Sequence, residues 1–170
     1  PSSTFEASTF TSLLQTNIQN TSFGEWYVKS DGSIGCVNYS EPGIIKPGKW
    51  YRLVFVSDLE QGELHCYVNG DHVLTLSNHE EHPVLEDDRW ALDTHFYLFL
   101  DKDSVDCGEI LLSSFQIRFY PMSKYEVKCI GSVSSVGIPQ PDDKELSKRV
   151  SEELSLPRAW CLYALVSTGH

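Results

Sequence analysis

Trp50-Tyr51-Arg52-Leu53-Val54-Phe55-Val56-Ser57-Asp58, then Leu59-Glu60-Gln61-Gly62, then Glu63-Leu64-His65-Cys66-Tyr67-Val68-Asn69-Gly70, is the stretch whose reading decides the fold. It reads as two strands joined by a tight turn. Residues 53–56 are apolar at every position, which predicts a strand covered on both faces. The second strand runs into Asn69-Gly70, a strong hairpin signal because both residues accept positive φ. A two-residue turn there predicts Val68 opposite Asp71, Tyr67 opposite His72 and Cys66 opposite Val73.

Outward from this hairpin the same grammar continues. Towards the N-terminus, residues 9–15 and 23–28 read as strands. Asp31-Gly32 reads as a hairpin turn, with residues 33–37 returning from it. Pro42-Gly43 and Pro47-Gly48 bracket the connection into Trp50. Towards the C-terminus, residues 73–76 complete the second strand pair and 78–89 form a polar loop. His95 to Leu100 is too short and too aromatic for a helix and reads as a buried strand. Residues 109–120 read as a long strand with Leu111, Phe115, Ile117 and Phe119 on one face. Trp50 and Trp90 flank apolar strands and are assigned to the core.

The period then changes. Ser123-Lys124-Tyr125-Glu126 has the form of a capping box, which predicts a short helix to about Cys129. Residues 131–141 read as a linker. Asp142-Asp143 opens a second helix, with Leu146, Val150 and Leu154 as one apolar stripe. Trp160 to Val166 is a last strand-like segment that either packs back on the body or belongs to a following domain. Many short strands with turn signals every few residues predict an all-β, two-sheet antiparallel β-sandwich. To it are added a short late helix and a C-terminal helical extension. The expected division is a sandwich over 1–139 and an extension over 140–170.

Composition narrows the partners. The chain has 170 residues, 41% of them hydrophobic, which suffices for one sizeable core. Its formal net charge of −11 argues against nucleic acid and anionic membrane surfaces. No apolar run approaches the roughly 20 residues of a membrane helix, so direct membrane insertion is not expected. Pro1-Ser2-Ser3-Thr4-Phe5 has no secretory signal character. The five cysteines, Cys36, Cys66, Cys107, Cys129 and Cys161, are odd in number and form no CxxC. That usage leans towards a reducing, cytoplasmic setting, with an extracellular one as the alternative.

Several of these segments, in order, resemble the laminin-G-like (concanavalin A-like lectin/glucanase) jelly rolls. They are Thr11-Ser12-Leu13-Leu14-Gln15-Thr16-Asn17, Ser30-Asp31-Gly32-Ser33-Ile34-Gly35, Pro47-Gly48-Lys49-Trp50-Tyr51-Arg52-Leu53 and Tyr67-Val68-Asn69-Gly70. Arg89-Trp90-Ala91-Leu92, Ser113-Ser114-Phe115-Gln116 and the stretch from Tyr125 to Pro139 continue the pattern, which covers residues 8–139. The resemblance implies a jelly roll used as a module beside other domains. By analogy it implies a role in binding rather than a particular ligand.

Two sets of residues are assigned to binding. Asp101, Asp103, Asp106 and Glu109 lie in one acidic loop and could offer several carboxylate oxygens to calcium. The plain alternative is a solvated turn, since Lys102 sits among the acids and the full calcium-loop pattern is missing. Calcium is the only cofactor suggested. Tyr39, Tyr67 and His72 are assigned to ligand binding, against the plain reading of hairpin cross-strand pairs. His79-Glu80-Glu81-His82 lacks the spacing of a zinc helix. No strand carries the acidic run of a sandwich-fold glycosidase, and there is no nucleophile-elbow or cysteine-protease signature. The chain is therefore read as no enzyme. It is read as a recognition module of a larger multidomain protein that binds a protein or glycan through loops at one sandwich edge, with calcium as a candidate aid. The alternatives are an intramolecular regulatory module contacting neighbouring domains of the same chain, such as a calpain-type protease, and distantly a glycan hydrolase.

Overall fold

A computed structural model describes residues 10–18, 24–77, 90–100, 108–131 and 159–168. In chain order its elements are β1 (Phe10–Gln15), β2 (Glu25–Lys29), β3 (Ile34–Gly35), β4 (Trp50–Asp58), β5 (Glu63–Val68), β6 (Asp71–Ser77), β7 (Tyr97–Leu98), β8 (Ile110–Arg118), α1 (Lys124–Ile130) and β9 (Ala159–Thr168). They form two antiparallel sheets, ordered β3-β2-β1-β7 and β6-β5-β4-β9-β8. The all-β two-sheet sandwich with a short late helix is the architecture found. The segment expected to form the extension helix, 142–156, lies outside the described residues, as does the loop of His79 and His82.

β4 shows why the chain takes this form. Its side chains alternate between two separate cores. Leu53 and Phe55 point inward, into a cluster with Leu13, Leu14, Trp26 and Val28 of the other sheet. The Trp26 and Phe55 rings stack across the sheets with centroids 4.9 Å apart. Val54 and Val56 point outward and meet Tyr67, Met122, Val127 and Cys161 in a second cluster. Full burial of each such side chain is worth about 1.5–3 kcal/mol, so a strand apolar on both faces requires cover on both. The opposite sheet supplies one cover and α1 the other.

α1 is held at both ends. The Ser123 hydroxyl accepts a hydrogen bond from the Glu126 amide at 3.3 Å, and the Glu126 carboxylate accepts from the Ser123 amide at 2.7 Å. This is the predicted capping box. At the other end, Nη1 of the buried Arg52 donates to the carbonyl of Ile130. A cation under the C-terminal turn complements the helix dipole.

β9 is the strand the local signals placed least well. It pairs with β4 from Trp50↔Ser167 to Asp58↔Ala159, and with β8 along its other edge. Of the two placements open to it from the sequence, it packs back on the body, in the interior of the five-stranded sheet. Cys161, Leu162, Ala164 and Val166 are all buried there.

Four local expectations are corrected. The β5–β6 register keeps Val68↔Asp71 and Tyr67↔His72, but Cys66 faces Leu74 rather than Val73, because a bulge intervenes. In β8 a bulge between Leu112 and Ser114 switches faces. Leu112 therefore shares a side with Phe115 and Ile117, across from the buried Val166, Ala164 and Leu162 of β9, and Leu111 takes the other side; Leu111, Leu112 and Phe115 all remain exposed. The segment 95–100 contributes only the two half-buried residues of β7. The left-handed backbone of Phe99 (φ 59°) ends the strand as its amide donates to the Leu13 carbonyl at 3.1 Å. Trp90 is fully buried, but Trp50, on the outward side at the start of β4, is 41% exposed.

Ending the chain at residue 158 removes an interior strand, so the truncated chain is expected to show no cooperative thermal transition. The full chain carrying Leu162→Ala is expected to unfold cooperatively with about 2–5 kcal/mol less stability in denaturant titration. A stable, cooperative truncated chain would contradict the placement of β9.

Candidate functional site

The β5–β6 hairpin carries a hydrogen-bonded polar cluster. Asn69 and Gly70 have φ of 55° and 88°, as a two-residue primed turn requires. Asn69 also ties the turn to β4: its side-chain oxygen accepts from the Arg52 amide at 2.9 Å, and its own amide donates to the Arg52 carbonyl at 2.8 Å. Just beyond, the bulge inserts Val73 as an extra residue. Strict alternation would put His72 and Thr75 on opposite faces. The bulge brings both outward, beside His65 and Tyr67.

The result is a short hydrogen-bonded row across two strands. His65 Nδ1 lies 2.9 Å and His72 Nε2 2.7 Å from the same oxygen, Thr75 Oγ1. His65 Nε2 lies 3.2 Å from the Glu63 carboxylate. The His65 and His72 rings are 5.9 Å apart between centroids, and the Tyr67 ring stands edge-on to His72 at 5.2 Å. His72 is exposed, whereas Tyr67 is 5% exposed and belongs to the cluster beneath α1. Burial pushes the Tyr67 phenol above its ordinary range. Burial, then the neighbouring His65, lower the pKa of His72, partly opposed by the Leu74 backbone, which favours the protonated ring.

Tyr39 lies elsewhere. Trp26 and Val28 of β2 point into the core, so Tyr27 and Lys29 point outward from the four-stranded sheet. Tyr39 bridges to Gly35 and joins them. Lys29 Nζ sits 3.6 Å from the Tyr39 ring centroid, and Phe10 lies 5.6 Å from Tyr27 and 6.3 Å from Tyr39. A Cβ on Gly35 would come within 2.1 Å of the Asn38 carbonyl oxygen, so the loop that sets Tyr39 on this face needs glycine there. Beside the rings, the buried Glu25 carboxylate accepts from the Ser12 hydroxyl at 3.3 Å and from the Tyr27 hydroxyl. Tyr39 is thus on the outer face of one sheet, and Tyr67 and His72 on the outer face of the other. The three do not form one site.

Of the acidic loop, Asp101, Asp103 and Asp106 lie outside the described residues, and Glu109 is exposed just before β8. Among the described residues no three His, Cys, Asp or Glu side chains converge as a metal-binding group. Asp58 accepts from the Gln61 amide at 3.1 Å and so caps the β4–β5 turn. Asp31 accepts from the hydroxyl and amide of Ser33, and these bonds lower its pKa. Cys36, Cys66 and Cys161 are free and buried, while Cys129 is free and exposed. Burial pushes the Cys36 and Cys161 thiols up to about 12.

Sequence reasoning singled out Tyr67 and His72 but missed His65, Thr75 and Glu63. The period-two run Glu63, His65, Tyr67 was the available signal. It also missed Phe10 and Lys29 around Tyr39. Among the described residues the fold is a two-sheet antiparallel β-sandwich with one covering helix. Comparison with family models, with curated proteins and with solved structures finds no match.

Two outcomes follow from this geometry. Folding lowers the pKa of His72 below its ordinary 6.5, so the unfolded chain takes up that proton first as pH falls. The contribution is intact above 6.5 and is lost as pH drops below it. Thermal unfolding from neutral to mildly acidic pH is expected to show a loss of stability that His72→Asn reduces. Separately, thiol labelling of the native chain is expected to be rapid at Cys129 and abolished there by Cys129→Ser. Cys36, Cys66 and Cys161 should label only on unfolding.

Proposed function

We propose that the chain is a non-catalytic recognition module of a larger protein, binding a protein or glycan ligand on the outer face of its four-stranded sheet. The observation that supports this is the grouping of Phe10, Tyr27 and Tyr39 with Lys29 on that face. Half-buried rings offer flat apolar surface without the ordering cost of long flexible chains, and the lysine, lying over the Tyr39 ring, adds a charged hydrogen-bond donor to the group. Rings with an adjacent charged donor suit the alternating apolar and hydroxyl surfaces of a sugar, and equally an aromatic or acidic side chain of a protein. The laminin-G-like resemblance of the 47–53 and 67–70 motifs supports a binding role by analogy. In the same reading Asp101, Asp103, Asp106 and Glu109 supply carboxylate oxygens to calcium.

The test is a binding screen of the intact chain against a glycan panel and candidate protein partners, with and without calcium. For a ligand so found, Tyr39→Ala is expected to weaken affinity at least about tenfold, about 1.4 kcal/mol, with little change in melting temperature. Unchanged affinity in Tyr39→Ala and in Lys29→Ala would remove this face from the reading. Calcium is expected to raise the melting temperature of the chain, and Asp103→Asn to abolish that rise.

A further inference from the structure

Outside that face, the β5–β6 hairpin holds a feature that cross-strand packing does not require. Two imidazole nitrogens, His65 Nδ1 and His72 Nε2, are aimed at one hydroxyl oxygen, at 2.9 and 2.7 Å. The far nitrogen of His65 is already engaged. Nε2 faces the Glu63 carboxylate at 3.2 Å, which makes that nitrogen the N–H donor and leaves the lone pair on Nδ1. Ring nitrogens from two adjacent strands thus converge on a single point, held here by the Thr75 hydroxyl.

We infer that His65 and His72 form a two-histidine chelate for a borderline divalent transition metal such as zinc, with Glu63 as the outer-shell carboxylate. Neutral imidazoles with converging lone pairs are the ligand form that zinc takes, at about 2.0–2.1 Å. A carboxylate on the far nitrogen of His65 fixes its tautomer and ring plane, as outer-shell partners do at metal-ligating histidines. The metal occupies the space between the rings as the Thr75 side chain rotates away, and water fills the remaining positions. His72 is exposed and the His65 side chain is 22% exposed, so the ion has a path from solvent. The chemistry differs from that of the all-oxygen calcium loop, and the inference does not depend on the ligand-binding reading given above.

The test uses the full chain in a Cys129→Ser background, which removes an exposed thiol as a competing ligand. Zinc at about ten times its Kd is expected to raise the melting temperature by about 3–5 °C for a chain of this length, reversibly with EDTA. His72→Gln and His65→Gln should each abolish the rise. The double change His79→Gln/His82→Gln should leave it intact, which separates this site from the other histidine pair. Should His65→Gln weaken the fold itself, Thr75→Ala provides the second variant. It removes the hydroxyl between the two nitrogens and should keep or strengthen the zinc response. Zinc should also shift the imidazole nitrogen resonances of His65 Nδ1 and His72 Nε2. No response to millimolar zinc, a response undiminished in His72→Gln, or its loss in Thr75→Ala would overturn the inference.

Discussion

β4 has no polar face, and the rest of the molecule answers that constraint. Leu53 and Phe55 on one side and Val54 and Val56 on the other are all within 2% of complete burial. One side of such a strand could be met by an opposing sheet, as in any sandwich. The other side needs a separate cover, and α1 with Met122 supplies it. The strand also needs partners along both edges, which β5 and β9 provide. Arg52 joins these demands. Its amide and carbonyl are tied to Asn69 of the hairpin turn, and its guanidinium holds the last carbonyl of the covering helix.

α1 covers only part of the five-stranded sheet's outer face, and at the β5–β6 hairpin its cover stops short of His72, which stays exposed. Tyr67 falls under the helix and becomes core, while His72, His65 and Thr75 lie beyond it. The two histidines, one hydroxyl and one carboxylate are close because a single extra residue, Val73, shifts the phase of β6. The outer face of the other sheet carries the aromatic group with Lys29 and the buried Glu25. Two polar surfaces thus lie back to back across one apolar core, and a ligand on one cannot touch the other.

Much of the architecture was legible in local sequence. Leu53 to Val56 announced a strand buried on both faces, Asn69-Gly70 announced its neighbour's turn, and Ser123 with Glu126 announced the helix that covers it. Each is a short-range signal, set by φ preference, side-chain alternation or a bond across three residues. The departures occurred where long-range pairing decides. Leu111 and Leu112 exchange faces because β8 is bulged against β9, and no residue in 109–120 marks that bulge. Tyr39, Tyr67 and His72 look alike as half-polar residues near turns. Only the assembly of strands into two sheets separates the first from the other two.

By itself the sequence determined that the chain would build short antiparallel strands, where the hairpin turns and the capped helix would fall, and which strand would be buried on both sides. Those follow from the conformational limits of asparagine and glycine and from the period of apolar residues. Only the tertiary structure decided that residues 159–168 enter the interior of a sheet more than a hundred residues downstream of β4, their partner. It alone decided that His65 and His72 turn on one oxygen. Strand pairing and bulge position are set by the total burial and hydrogen bonding of segments far apart in the chain, and no local pattern encodes that sum.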